Sequence, residues 1–394
     1  MSHPSQPVTI HPRFAVPFNF PVHFTRAAFA PDNPVLHQTF RRMGEDRIHR
    51  VAVYVDQSVA EATPEILREI REYFHAHSDK LELAGVPEVV TGGPAAKTGF
   101  DLLRDITTTL GNLRMDRQSF VLALGGGSML DAVGLAVALV HRGLRLVRMP
   151  STVLAQNDAG IGVKNGVDAH GQKNFLGVFA PPFAVVNDFN LLDTLPDEAW
   201  FGGLAEALKV ALIKNREFFE FLEEAAPALA RRDAAAMERA VIDCARIHLE
   251  HIANGGDPFE RGSARPLDFG HWSAHRLEIL SGHRLSHGYA VAIGVALDTY
   301  YAMRNELMTP AEVERVWTFI ETIGLPLYAP EMELKQSDGD LLLLRGIEEF
   351  REHLGGRLTV TLPMGIGAKV EIHHLNHDWI VEGIAALRQR ANHR

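Results

Sequence analysis

One cysteine, Cys244, stands among 394 residues. No internal disulfide is possible, and a lone thiol fits a reducing compartment. It lies in the helical apolar pattern AVIDCARIHLEH, so it reads as a packed side chain and not as a nucleophile. A basic excess is also missing. With 39 Lys and Arg against 49 Asp and Glu the formal charge is -10, which argues against nucleic acid as the main partner, because a phosphate-binding surface needs net positive charge. Any phosphate site must then be a local cluster of cations. No apolar run is clean enough to span a bilayer: the most apolar stretch, Leu130 to Val147, is broken by Asp131, His141, Arg142 and Arg145, so no membrane is expected. The first residues, MSHPSQPVTIHPRFAVPFNFPVHF, lack the basic start and apolar core of a secretion signal, and a cytoplasmic location is expected.

What is present is a globular composition, 46% hydrophobic and 22% charged, in a chain long enough for two packed units. Residues 12–30 alternate aromatic and apolar positions around prolines and read as a strand or hairpin within an extension, residues 1–48, that precedes the main fold. The β-branched RVAVYVD (50–56) is followed by the helical AEATPEILREIREYFHAH, and LELAGVPEVV (81–90) by AKTGFDLLRDITTTLGNL. SFVLALGGGSMLDAVGLAVALVHRG presents a strand, a glycine turn and a helix, and LRLVRMPST and PPFAVVND add strands. This alternation predicts an α/β unit over residues 1–193, a doubly wound parallel sheet of Rossmann-like type. Near Leu192–Pro196 the pattern turns to helix after helix. Residues 194–394 are expected to be mostly α-helical, with RLTVTLP (357–363) the one strand-like return.

Three segments carry chemistry. Gly125, Gly126 and Gly127 follow a strand and open a helix, so their amides can approach an anion at the positive helix end. Asp131 lies one turn further on, and Asp56 ends an earlier strand where doubly wound folds bind a ribose. Segment 150–179 is glycine-rich and reads as a loop. It offers Asp158, Lys164, Lys173 and Asn174, and two lysines there in an acidic chain suggest an anionic small molecule. Finally, GGLAEALKVALIK places Glu206 and Lys209 one helical turn apart among apolar residues. That helix should be buried, and a buried glutamate needs a cation. Two readings stay open from these residues alone: a Glu206–Lys209 pair, or a metal held by Glu206 and two histidines. Histidines stand at 271, 275, 283 and 287.

In this order and spacing, the segments resemble the sugar phosphate cyclase superfamily, the dehydroquinate synthase-like proteins, over about Val51 to Gly367. GGGSMLDAVG is similar to the family's nucleotide turn and PSTVLA to its Pro-Thr-Thr segment. DAGIGVKNGV with GQKN resembles its lysine loop, TLP with GLAEALK its metal helix, and DFGH with HG its histidine segment. The resemblance implies one divalent metal, zinc or cobalt, on Glu206, His271 and His287. It implies NAD among Asp56, Lys97, Gly126, Gly127, Asp131, Thr152, Lys173 and Asn174. It places Asp158, Lys164, Lys173, Asn174, Lys209 and His275 against the substrate or its phosphate, with Asp268 and Arg265 in the same catalytic segment. Arg142 corresponds to an arginine offered to a neighbouring subunit, which implies a homodimer. Family members cyclise a seven-carbon ketose phosphate with NAD used and regenerated. His275 is the expected proton relay, and Lys209, Asn174 and Arg142 the expected phosphate holders.

Departures bear on the substrate. Where dehydroquinate synthases carry a lysine seven residues before an acidic turn, the turn being Asp257 and Glu260 here, this chain has Glu250. Their arginine is replaced by Ala264, with Arg265 following, and their asparagine by Asp268. Pro94 follows Gly92–Gly93 where the family has glutamate. Loss of a cation and gain of anions disfavour a substrate carboxylate. RPLDFGH resembles valiolone-type cyclases, which use sedoheptulose 7-phosphate, yet those lose the second histidine of GHxxxH and His275 remains. Residues 348–375 resemble a further branch found in cyclitol-type gene clusters. The expectation is a cyclase for a carboxylate-free sugar phosphate. The rivals are a 3-dehydroquinate synthase, a metal-dependent polyol dehydrogenase and an NAD-binding pseudoenzyme. His283 matches nothing and is expected to be a surface or helix-end residue.

Overall fold

The computed structural model describes residues 9–170, 172–260, 262 and 265–393. Its strands are β1 (Val22–Thr25), β2 (His49–Asp56), β3 (Leu81–Leu83), β4 (Glu88–Val90), β5 (Phe120–Gly125), β6 (Arg145–Pro150), β7 (Lys164–Ala169), β8 (Gln172–Phe179), β9 (Ala184–Asp188), β10 (Val360–Pro363) and β11 (Lys369–Ile372). Seven form one sheet in the order β1-β9-β6-β5-β2-β3, with β4 also paired to β2, and every pairing in it is parallel.

Period-two alternation divides the two faces. Val51, Val53, Val55, Leu122 and Leu124 pack with Phe40, Ile70 and Tyr73 on one side. Ala52, Tyr54, Val121 and Ala123 pack with Leu110, Leu130 and Val133 on the other. Both faces are therefore covered, as a parallel sheet requires. The strand order reverses between β2 and β5, which leaves a crevice at their C-terminal ends, beside Asp56 and the glycine turn.

One expectation is sharpened and one is corrected. The strand or hairpin expected in the N-terminal extension is a strand, β1, and it belongs to the main sheet: it lies parallel to β9 with Val22 opposite Val185, because Val22 and Phe24 pack against Val185 and Ala245. The lysine segment, by contrast, is not a loop. After a tight π-helical turn at Ala155–Ala159 it forms the antiparallel ribbon β7–β8. Its glycines serve close pairing: a Cβ on Gly166 would sit 2.8 Å from the Leu176 carbonyl oxygen, and one on Gly177 2.7 Å from that of Asn165.

Beyond β9 the chain is helical, including Asp197–Lys214, Arg216–Ala230, Ala234–Asn254, His271–Leu280, His287–Arg304 and Pro310–Thr322, around one large apolar cluster. The expected burial of the first of these helices holds, with Gly202 to Ile213 all inside. The strand-like return contains β10, which pairs with a second short strand, β11, that no sequence pattern announced. No helix among the described residues is long and apolar enough to cross a membrane.

Candidate active site

The crevice side of the site is built on glycines. Gly126 caps the helix Gly127–Leu139, and its N–H points at Asp56 Oδ2, 3.5 Å away. Asp56 Oδ1 accepts from the backbone and hydroxyl of Ser58 at 2.9 and 2.7 Å. Asp56 is buried, and a Cβ on Gly92 would come within 2.0 Å of its Oδ1. It therefore braces the turn from beneath. Thr152 Oγ1 accepts from Ala155 N at 3.1 Å, and its methyl group would touch a Cβ on Gly126 at 3.6 Å. Lys97 Nζ donates to Asp131 Oδ2 at 2.6 Å and to Asn174 Oδ1 at 2.7 Å. The fold thus joins three residues expected on the nucleotide side, from segments far apart in sequence.

Asp158 leaves the π-helical turn toward the helices. Asn157 anchors that turn by donating to the Gly203 carbonyl at 2.9 Å. Asp158 Oδ1 lies 3.0 Å from His248 Nδ1, a buried histidine that the sequence did not single out. Burial would raise the Asp158 pKa, but the charge and hydrogen bond of His248, with Lys209 and Lys164 nearby, hold it well below the usual carboxylate range. Arg148, also unannounced, is fully buried. It donates to the carbonyls of Gly162 and Lys164 at 3.0 and 2.9 Å and to Asn165 Oδ1 at 2.6 Å. A guanidinium thus fixes the entry to β7 and the backbone of Lys164.

Close backbone packing brings the histidines to Glu206. A Cβ on Gly288 would lie 2.2 Å from the Gly202 carbonyl oxygen, and one on Gly294 2.0 Å from that of Gly270. Only glycine allows these approaches, and they set the N-terminus of the His287–Arg304 helix against the Glu206 helix and the turn before His271 against the His287–Arg304 helix. His271 Nε2 and His287 Nε2 then lie 3.5 and 3.7 Å from Glu206 Oε1, and ligand atoms of the three residues fall within 4.8 Å of one another. Glu206 is completely buried. Neither of its oxygens has a hydrogen-bond partner, although the Lys209 ammonium pairs with Oε2. His271 Nδ1 donates to the Phe269 carbonyl at 3.0 Å, and His287 Nδ1 faces Glu278 Oε2 at 3.3 Å, so each ring is oriented with Nε2 inward. Burial, then the Lys209 charge, push the His271 pKa well below its ordinary value, leaving a neutral imidazole. For His287 burial is outweighed by the hydrogen bond and charge of Glu278, and its pKa rises. A fully buried carboxylate that meets Lys209 through one oxygen and faces two oriented imidazoles with the other fits a divalent cation in a three-ligand site with open positions.

Glu278 was missed. It follows His271 by seven residues and His275 by three, so a helical repeat puts it on the histidine face. That spacing is the one signal that pointed to it. Lys173, expected against nucleotide and substrate, pairs through its Nζ with Glu278 Oε1 at 2.7 Å, which also makes it part of the support behind His287. His275, Glu278 and His287 also cluster within ligand distance. With Lys173 on Glu278 and a cation on Glu206, a second dication there would meet strong repulsion.

His275 lies with ring centroids 5.3 Å from His271 and 5.9 Å from His287. Burial, then His271 and His287, drive its pKa well below the ordinary value. Its ring is therefore neutral in this environment. Lys164 Nζ lies 2.7 Å from Glu260 Oε1, and Arg265 Nε 3.9 Å from Glu260 Oε2. Asp268, on the turn Pro266–Asp268, acts on both lysines. Burial opposes the Lys209 charge, but Glu206, Asp158 and Asp268 outweigh it and raise the pKa.

Three residues lie elsewhere. Glu250 is exposed, on the opposite face of its helix from the buried Ile247 and His248, so its charge does not enter the site. His251, one residue on, turns inward instead: its Nδ1 is 3.1 Å from Lys214 Nζ, and burial and that lysine pull its pKa down to about 4. Arg142 is exposed in a left-handed conformation, φ 64°, at the far end of the glycine-turn helix. At about 1.5 Å per residue this is roughly 20 Å from the turn, so the chain does not bring Arg142 to its own site. His283 is an exposed helix-end residue, as expected. Ala264 lies outside the described residues.

Family models match this architecture in two consecutive blocks: 3-dehydroquinate synthase N-terminal over residues 88–201 and 3-dehydroquinate synthase C-terminal over residues 203–342. The 3-dehydroquinate synthase of Bartonella tribocorum is 31% identical over 325 residues, 81% of this chain and 82% of that one. The 2-epi-5-epi-valiolone synthase of Streptomyces glaucescens is 35% identical over 262 residues, 66% of each chain. Among solved structures, ValA, the 2-epi-5-epi-valiolone synthase of Streptomyces hygroscopicus subsp. jinggangensis, with NAD+ and Zn2+ bound, superposes with a TM-score of 0.84 at 28% identity, covering 97% of this chain and 100% of its own. The chain belongs to the 3-dehydroquinate synthase family of sugar phosphate cyclases.

Proposed function

We propose that the protein is an NAD- and divalent-metal-dependent cyclase that eliminates phosphate from a carboxylate-free seven-carbon ketose phosphate, of the sedoheptulose 7-phosphate type, and closes the ring by an aldol reaction. The observation that carries this reading is the buried Glu206 carboxylate, without a hydrogen bond, between His271 and His287 and beside Lys209. Those three ligands would hold zinc or cobalt. NAD would lie along Gly126, Gly127, Thr152, Asp131, Lys97 and Asn174 over the Asp56 brace. The ion supplies Lewis acidity toward substrate oxygens, and the nicotinamide a hydride acceptor and donor regenerated within the cycle.

The protein's own groups do the rest. Lys209 and Lys164 hold negative charge on the substrate and its departing phosphate by charge-assisted hydrogen bonds. The ionised Asp158, fixed by His248, accepts a hydrogen bond from a substrate hydroxyl. His275 is the proton relay. Arg142 reaches a phosphate site only from a second copy, so the reading includes a homodimer. The dinucleotide belongs to a sheet unit over residues 1–193 and the metal to a helical unit over residues 194–394.

The substrate preference rests on charge. Lys164 and Arg265, the cations nearest the site's acidic segment, already face Glu260, and Asp268 adds a further anion. A substrate carboxylate there would meet anions and engaged cations.

A phosphate-release screen over heptulose and heptulosonate phosphates, with NAD and Zn2+ or Co2+, tests the reading. Release from sedoheptulose 7-phosphate without net NADH is the expected result. Release from the heptulosonate phosphate alone makes the protein a 3-dehydroquinate synthase. Net NADH from a simple polyol makes it a dehydrogenase, and NAD binding without turnover or bound metal makes it a pseudoenzyme.

A further inference from the structure

We infer that Asp298 is the positioning residue for His271: a buried carboxylate that clamps the turn carrying one candidate metal ligand onto the helix carrying another. The inference rests on reading Glu206, His271 and His287 as ligands, and it concerns a residue with no place in the proposed chemistry.

Asp298 is 1% exposed. Its Oδ2 accepts from Gly270 N at 3.0 Å and its Oδ1 from Trp272 Nε1 at 2.9 Å. Those donors flank His271 on either side. Among the described residues no Lys, Arg or His pairs with Asp298, and a buried carboxylate without a cation is costly unless its hydrogen bonds do something an apolar residue cannot.

The turn it holds needs holding. Gly270 sits in the left-handed region, φ 79°, directly on the helix: a Cβ on it would lie 3.0 Å from Val295 N. Asp298 stands three and four residues beyond Val295 and Gly294, on the same helical face. It therefore ties the turn at the next step along the surface that Gly294 already grips. His287 opens that same helix. The direction of His271 Nε2 toward Glu206, set locally by its bond to the Phe269 carbonyl, is thereby referenced to the element that carries His287. Trp272 is buried as well, and among the described residues its indole N–H has no other partner.

The test uses Asp298→Leu, which keeps the branching at Cγ, though with more bulk, and removes both acceptors, and Asp298→Asn, which keeps shape but turns an NH2 toward one of the two donors. In the full-length protein, Zn2+ affinity is measured by competition with a chromogenic chelator, the Co2+-loaded protein is examined for its visible ligand-field band, and NAD affinity is measured by titration. The expected result is metal affinity weakened about 10- to 100-fold in the Leu variant, an intermediate loss in the Asn variant, a shifted Co2+ band, and NAD affinity unchanged. Wild-type metal affinity with an unshifted band overturns the inference. So does a parallel loss of NAD binding, which would mean general damage to the fold. If the Leu variant does not fold, the Asn variant decides on the same readouts. A His271→Ala control separates the levels: if that variant keeps wild-type metal affinity, the ligand assignment itself has failed.

Discussion

Replacing Glu206 with glutamine tests the centre of the site through stability as well as activity. Glu206 is completely buried and Lys209 is 2% exposed; without metal, each is the other's nearest opposite charge. Glu206→Gln leaves an ammonium in the interior facing a neutral amide. Stranding one member of a buried ion pair costs about 3–5 kcal/mol. Asp158 still acts on Lys209, so the lower end is expected, about 3 kcal/mol. Lys209→Met strands the carboxylate and should cost a similar amount. The double substitution leaves no stranded charge and should be more stable than either single variant, with a coupling of about 2–3 kcal/mol in the double-mutant cycle. The assay is urea unfolding in EDTA, repeated with Zn2+. Zinc should raise the wild-type midpoint by mass action and leave every Glu206 variant unmoved. If Glu206→Gln unfolds at the wild-type midpoint in EDTA, or the double variant is no more stable than the singles, the two charges are not a buried pair. If Glu206→Gln keeps turnover, the site is misassigned.

Further outcomes follow from neighbouring groups. Burial, against the bonds from Trp272 and Gly270, pushes the Asp298 carboxyl up to about 7 from 3.8. The folded state thus binds its proton more tightly than the unfolded chain, so the contribution is fully present below about pH 4 and lost as pH rises through 7. In EDTA, wild-type stability relative to Asp298→Asn should fall by about 4 kcal/mol between pH 4 and 8; a flat difference by urea unfolding refutes a buried, titrating carboxylate. Glu278→Gln removes the acceptor behind His287 and the partner of Lys173, and should weaken Zn2+ binding by about 10- to 100-fold in chelator competition; an unchanged affinity would show that His287 needs no such support. Asp268→Asn should move the kcat/KM ratio toward carboxylate-bearing heptulosonate phosphate by roughly tenfold or more, and an unmoved ratio would place the substrate tail elsewhere.

Much of the molecule was legible because it is written locally. The short apolar, β-branched runs in RVAVYVD and FVLALG gave β2 and β5, and the glycines after β5 marked the crevice turn. A glutamate in an otherwise apolar helix announced a buried charge with a cation to find, and the resemblance named His271 and His287 among four histidines. Segments whose partners are remote were misread or unseen. β1 is a strand because β9 stands beside it, 163 positions away in the register of Val22 and Val185. Segment 150–179 looked like a loop because its glycines conceal a ribbon that only close backbone pairing reveals.

The side-chain pairs divide the same way. Glu206 stood out locally as a buried charge in an apolar helix, and the resemblance singled out His271 and His287. Their orientation comes from Glu278, the Phe269 carbonyl and Asp298, and the roles of Lys173, His248 and Arg148 appear only where elements cross. Lys173 and Glu278 are 105 residues apart, and nothing near either predicts the other. Glu250 and His251 differ by one helical step of about 100°, which turns one to solvent and the other inward. The sequence by itself determined which elements form, which faces are apolar and which chemical groups are available. The packing of helix on helix at Gly202–Gly288 and Gly270–Gly294 decided which of those groups meet, because the energy of a buried contact depends on distances that no local pattern contains.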